Sequence, residues 1–203
     1  MSTGDDILIL LAAGSARRMQ SVVDDKITAL LAGKPVFVHS LQSFLSTGLI
    51  GRVVITYRDD AQLAKLKSLL DAHLPSAPAI DFVPGGESRQ DSVLAALNTC
   101  EGHTGLVHVH DGARPLVSAE AIRKVRAKAF ETGAAILAGR AADTVKIAKA
   151  DSPSVETSPD RGLVWTAETP QVFRTAIVLK AYRKVAELQR KVTDDSSAVE
   201  FVG

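Results

Sequence analysis

The residues from Ile7 to Lys26, ILILLAAGSARRMQSVVDDK, join a turn of small residues to a group of cations. Ala12, Ala13, Gly14 and Ser15 let backbone N–H groups approach a ligand without obstruction from side chains. Arg17 offers a planar fork of donors matched to phosphate oxygens, and Lys26 a point charge on a flexible stem. These types in this order suit a polyanion, above all a triphosphate. Alone, the stretch is also compatible with a strand, a glycine turn and basic residues on an exposed helix turn. Two familiar phosphate motifs are excluded. A dinucleotide fingerprint needs glycine where Ala16 and Met19 stand. A Walker lysine needs Ser or Thr after it, and Gly33-Lys34 is followed by Pro35.

Strand and helix patterns alternate around this stretch. The apolar run Ile7–Leu11 reads as a buried parallel strand. Val36–Leu45 suits a helix opened by Pro35. Val53–Thr56, Ile80–Val83, Leu106–His110 and Ala134–Ala138 read as strands, with helices over Ala61–Leu70, Asp91–Leu97 and Ala119–Thr132. Residues 140–171 change character: they alternate, carry Pro153 and Pro159, and read as two short strands on a polar turn. Helix is expected again from Gln171 to Lys191. The alternation predicts an α/β fold, a mostly parallel sheet with helices on both faces. Ligands of such sheets bind beyond the carboxyl ends of the strands. The loops after Leu11, Val83 and His110 all lie there and can share one pocket.

The 203 residues suit one such domain, and a net charge of +1 provides no global field to recruit nucleic acid. Cys100 is alone, so the sequence holds neither a disulfide framework nor a zinc cluster, and a reducing compartment fits. The stretch Met1 to Asp6 is acidic and lacks the basic region expected of a signal peptide, and no apolar run approaches membrane-spanning length. The expectation is a soluble cytoplasmic protein without nucleic-acid or membrane partners. His108 and His110 share one sheet face and read as hydrogen-bonded sheet residues rather than metal ligands.

Seven segments run in order from Leu11 to Glu200: LAAGSARRM, GKPVFVHSLQSF, GGESRQDSV, VHDGARP, DTVK, DRGLVWTAETPQVF and TDDSSAVE. As a set they resemble the bacterial and plastid 2-C-methyl-D-erythritol 4-phosphate cytidylyltransferases of non-mevalonate isoprenoid synthesis. The joint presence of DGARP, GGESRQDSV and TAETPQVF makes the resemblance specific. It implies a single Rossmann-like nucleotidyltransferase domain over 1–203 with a protruding β-arm at about 140–165 that forms a homodimer. It also implies a magnesium-dependent enzyme that joins CTP to the polyol phosphate and releases pyrophosphate.

Carried over residue by residue, the resemblance gives Ala12 to Ser15, with Arg17, the triphosphate, and Lys26 the α-phosphate. Gly85, Gly86, Asp91 and Ser92 would frame the cytosine. Asp111 would sit by magnesium and the ribose, with Ala113 beside the nucleotide. Arg114, Thr144, Arg161 and Thr169 would hold the acceptor's phosphate, with Thr144 and Arg161 reaching across from a partner subunit. On residue type alone, Asp111 could equally cap its turn and Arg161 be a solvated turn residue.

Two departures from the family bear on these roles. The family's Pro-Lys-Gln is Asp25-Lys26-Ile27 here, and the pair Asp24-Asp25 falls where the triphosphate is expected, which predicts repulsion. The family also runs on past Gly203 to a further strand and helix, with a lysine in an Asn-x-Lys segment. Two other readings remain open on sequence alone: a ribitol 5-phosphate cytidylyltransferase, and a non-catalytic nucleotide-binding paralogue.

Overall fold

The run Asp6–Leu11 (β1) is buried from Asp6 to Leu10 because it lies inside a sheet covered on both faces. Ile7 and Ile9 pack to one side, Leu8 and Leu10 to the other. The computed structural model describes residues 4–14 and 25–203. After β1 come a small hairpin, Leu30–Leu31 (β2) with Lys34–Pro35 (β3), and the helix Val36–Leu45 (α1). Ile50–Tyr57 (β4), Asp60–His73 (α2), Ile80–Pro84 (β5), Arg89–Asn98 (α3), Leu106–Asp111 (β6), Ala119–Thr132 (α4) and Ala134–Arg140 (β7) continue the alternation. Ile147–Ala148 (β8) and Val155–Thr157 (β9) pair antiparallel as the outer part of the expected arm. Trp165–Arg174 (β10), Thr175–Glu187 (α5) and Asp195–Val202 (α6) follow.

The main sheet has the order β5-β4-β1-β6-β10-β7. Strands β5, β4, β1 and β6 are mutually parallel, as the alternation predicts. β10 runs antiparallel between β6 and β7. This corrects one expectation: Gln171 does not open a helix. Residues 171–174 complete a ten-residue strand, and α5 starts only at Thr175. Gln171, Val172 and Phe173 are buried against β6 and β7, and that tertiary pairing decides their conformation.

One face of the sheet carries Val93, Leu97, Leu179 and Tyr182 from α3 and α5, with Ala198 of α6. The other carries Phe37, Leu41 and Phe44 of α1, Leu66 and Leu70 of α2, and Ile122 of α4. Chain order reverses between β1 and β6, because β4 and β5 lie on one side of β1 and β6 on the other. Such a reversal opens a crevice at the carboxyl ends of the two central strands.

Candidate active site

The loops after β1 and β6 are tied together at that crevice: Gly112 N–H donates to the Leu11 carbonyl at 3.0 Å. The Ala12 and Ala13 N–H groups both point at the Thr56 hydroxyl, at 3.1 and 3.4 Å, and Gln62 Nε2 donates to the Ala12 carbonyl at 3.1 Å. Thr56 and Gln62 therefore set the path on which the chain leaves the sheet. Gly14 is exposed with open space where a side chain would be. Ser15 and Arg17 lie outside the described residues.

The repulsion expected of Asp25 is corrected by the position of its carboxylate. Asp25 is buried, not turned toward a ligand. Its carboxylate accepts from Gln62 Nε2 at 2.7 Å and from Ile27 N–H at 3.0 Å, which closes the turn that carries Lys26. A buried carboxylate satisfied in this way is scaffold. Asp24 lies outside the described residues. Lys26 is half-buried between two buried neighbours, Asp25 and Ile27, and makes no ion pair among the described residues.

The turn after β5 approaches the first loop closely. A Cβ on Gly85 would collide with the Ala13 side chain and come within 2.9 Å of the Ser92 hydroxyl, so only glycine fits. Ser92 donates to the Ser88 carbonyl at 3.0 Å and accepts from Gly86 N–H at 3.1 Å. Ser88 and Asp91 form a reciprocal cap on α3: the Asp91 N–H donates to the Ser88 hydroxyl, and the Asp91 carboxylate accepts from the Ser88 N–H. Asp91 and Ser92 thus shape the glycine turn.

At the end of β6 the Asp111 carboxylate meets two arginines. Arg114 Nε is 3.1 Å from Oδ2 and Arg89 Nε 3.4 Å from Oδ1. His110, buried behind it, fixes the same turn. Its Nε2 faces the Arg114 carbonyl at 3.1 Å, and a carbonyl only accepts, which puts the ring proton on Nε2. Nδ1 therefore accepts from the Thr169 hydroxyl at 3.0 Å, while Thr169 Oγ1 accepts from Asp111 N–H at 3.3 Å. Burial pushes the His110 pKa down to about 4, which keeps the ring neutral. The structure thus gathers Ala12, Ala13, Gly14, Gly85, Gly86, Asp91, Ser92, Asp111, Ala113, Arg114 and Thr169 onto the loops and strand ends around this crevice.

Thr144 and Arg161 stand apart from that group. Both are exposed on the arm, where Arg161 Nη1 donates to the Ala142 carbonyl at 3.1 Å. No hydrogen bond among the described residues links them to Asp111 or Arg114. Ile147, Val155, Leu163 and Trp165 expose apolar surface on the same segment.

The residues suit a magnesium ion shared with a ligand. No group of three His, Cys, Asp or Glu side chains able to hold a metal occurs among the described residues. Asp111 offers one partly exposed carboxylate at the crevice. Magnesium commonly takes one or two carboxylates and completes its shell with substrate phosphates and water.

Several supporting residues escaped the sequence reading. Thr56 and Gln62 looked like a strand end and a helix surface. Arg89 stood unread inside GGESRQDSV, although a cation one residue after the Ser88 cap was a visible signal.

The family model for 2-C-methyl-D-erythritol 4-phosphate cytidylyltransferase matches residues 7–203. The enzyme of that name from Symbiobacterium thermophilum is 36% identical over 97% of this chain and 80% of its own length. The one from Caldanaerobacter subterraneus is 33% identical over 96% of this chain and 85% of its own. In structure the chain is similar to the 4-diphosphocytidyl-2C-methyl-D-erythritol synthase of Anaerococcus prevotii. The TM-score is 0.84 at 27% identity, over 98% of this chain and 84% of that one.

Proposed function

Because the chain belongs to the 2-C-methyl-D-erythritol 4-phosphate cytidylyltransferase family, we propose that it joins CTP to 2-C-methyl-D-erythritol 4-phosphate. The products are 4-diphosphocytidyl-2-C-methyl-D-erythritol and pyrophosphate. The observation that carries this reading is the meeting of three strand-end loops, at Ala13, Gly85 and Asp111, on one crevice. The relatives' names favour methylerythritol phosphate over ribitol phosphate, and an enzyme over a non-catalytic paralogue.

In this reading a phosphate oxygen of the acceptor attacks the α-phosphorus of CTP in line, and pyrophosphate leaves. The attacking group needs no general base, since a phosphomonoester's second pKa is about 6. The protein's task is to place two anions together and to balance the charge of the transition state. Ala12 to Ser15 and Arg17 would take the triphosphate, and Lys26 the α-phosphate oxygens. The narrow turn at Gly85, Gly86, Asp91 and Ser92 would receive the cytosine. Asp111 would hold magnesium, which neutralises charge on the phosphate oxygens. Arg114 would reach the acceptor's phosphate. Thr169 has its proton committed to His110, so it serves best by fixing the Asp111–Arg114 turn.

Thr144 and Arg161 complete the acceptor site in a homodimer, each arm reaching the neighbouring subunit. Cytoplasm is the proposed location, consistent with a lone, buried Cys100; no described helix is long and apolar enough to cross a membrane. The test is pyrophosphate release, which should require CTP, the acceptor and a divalent ion together and stop on chelation. Equal turnover with ATP would overturn the cytosine assignment.

A further inference from the structure

The segment TDDSSAVE has no role in the proposed reaction, yet one of its acids is linked to Asp111 at the crevice through Arg89. Asp194 caps α6, accepting from Ser197 N–H at 3.0 Å, and binds Gln171 Nε2 at 2.8 Å. Asp195 turns inward and is completely buried. Its two oxygens take Arg89 Nη1 and Nη2 at 3.0 and 2.8 Å, a parallel fork, and the Tyr182 hydroxyl also donates to Oδ1. The fork leaves Arg89 Nε, on the other edge of the same plane, for Asp111.

We propose that Asp195 is a positioning residue for the cytidylyl transfer: by clamping Arg89 it fixes the Asp111 carboxylate at the mouth of the crevice. The proposal rests on the reaction assigned above. A guanidinium is planar, so two bonds to Asp195 also set the direction of its Nε–H. A lysine could neutralise Asp195 but could not hold two carboxylates in one fixed plane. Burial works against the Arg89 charge, but Asp195 first and Asp111 next outweigh it and hold the arginine charged. Buried ion pairs are often no better for stability than apolar packing. That makes a geometric duty the better reason for Asp195 than a stabilising one. The clamp also joins three distant elements, the first turns of α3 and α6 and the end of β6.

The test is a cycle of kcat values on the whole chain in Asp195→Asn, Asp111→Asn and the double variant. With Asp111 present, Asp195→Asn should lower kcat roughly tenfold while the acceptor's KM stays within about twofold. With Asn at 111 the same change should cost less than about twofold, because no carboxylate remains to be placed. Amide exchange over 111–114 should rise in Asp195→Asn while β1 keeps its wild-type protection. If Asp195→Asn does not fold, Tyr182→Phe removes one contact to Asp195 and should show the same non-additivity at smaller amplitude. Equal losses in both backgrounds, or faster exchange in β1 as well, would overturn the proposal. A wild-type chain that makes no pyrophosphate from CTP and acceptor would overturn the reaction itself, and with it any positioning for that reaction. An active wild type with additive losses would overturn only the role of Asp195.

Discussion

The Asp25 carboxylate accepts a hydrogen bond from Gln62 Nε2 at 2.7 Å, so helix α2 holds the turn that presents Lys26. The same Gln62 nitrogen reaches the Ala12 carbonyl at 3.1 Å. One buried amide thus connects the residue that follows β1 with the turn at Asp25. An acid next to Lys26 is compatible with the anion binding proposed for that lysine because this one faces inward.

Removing that amide should therefore cost both stability and activity. Gln62→Leu leaves Asp25 Oδ2 buried without its main donor, a penalty of about 1–3 kcal/mol. Denaturant unfolding would read the loss, and turnover should fall as the Lys26 turn loosens. Unchanged stability would mean that Asp25 finds another donor.

Lys26→Ala tests the charge proposed to act at the α-phosphate. Losing one donor to a developing transition-state charge commonly lowers turnover by about 10²–10³-fold. Lys26 contributes little to the core, so the unfolding midpoint should stay near that of the wild type. Wild-type turnover in this variant would assign the role to another residue.

The other end of the sheet holds a buried ion cluster that should shape acid stability. Asp6 receives His108 Nε2 at 2.9 Å and Arg126 Nε at 2.9 Å. Burial alone raises the Asp6 pKa, but the hydrogen bonds from His108 and Arg126 outweigh it and hold the carboxyl below its ordinary 3.8. A carboxyl with a lower pKa folded than unfolded stabilises the fold above about pH 3.8, and that stability is lost as the pH falls through the folded value. Asp6→Asn should flatten the acid limb of stability measured by denaturant unfolding. An unchanged slope below pH 4 would show that Asp6 does not govern it.

The legible parts of the fold were those with local signals. Ile7–Leu11 declares a buried strand by composition, and α1 and α4 end where their apolar spacing ends. β10 was hidden because its inner half follows Pro170 and begins with a buried Gln171, whose partners lie on distant strands and on α6. At the site, residue type and order single out the motif residues as candidates but say nothing of their supports. Arg89 gains its meaning from Asp195, which is 106 residues away along the chain. Asp25 looked like a repulsive charge because sequence cannot tell which way a turn residue faces.

The arm provides the last prediction. Trp165 pairs with Arg140 in register, and the Arg140 guanidinium stacks 4.9 Å from the Trp165 ring centre, so the arm's base is anchored to the main sheet. Beyond it, Ile147, Val155 and Leu163 are exposed, more apolar surface than a solvated hairpin needs. Two-fold pairing of identical subunits would cover these side chains and carry Arg161 to a neighbour's acceptor. Arg161→Ala should then raise the acceptor's KM or lower turnover while CTP binding stays near wild type. Mixed with Lys26→Ala subunits, it should regain activity, because one of the two sites in each hybrid keeps both residues. A monomer by light scattering, or verified hybrids that stay inactive, would return Arg161 to the role its hydrogen bond to Ala142 already gives it, a residue that steadies its own turn.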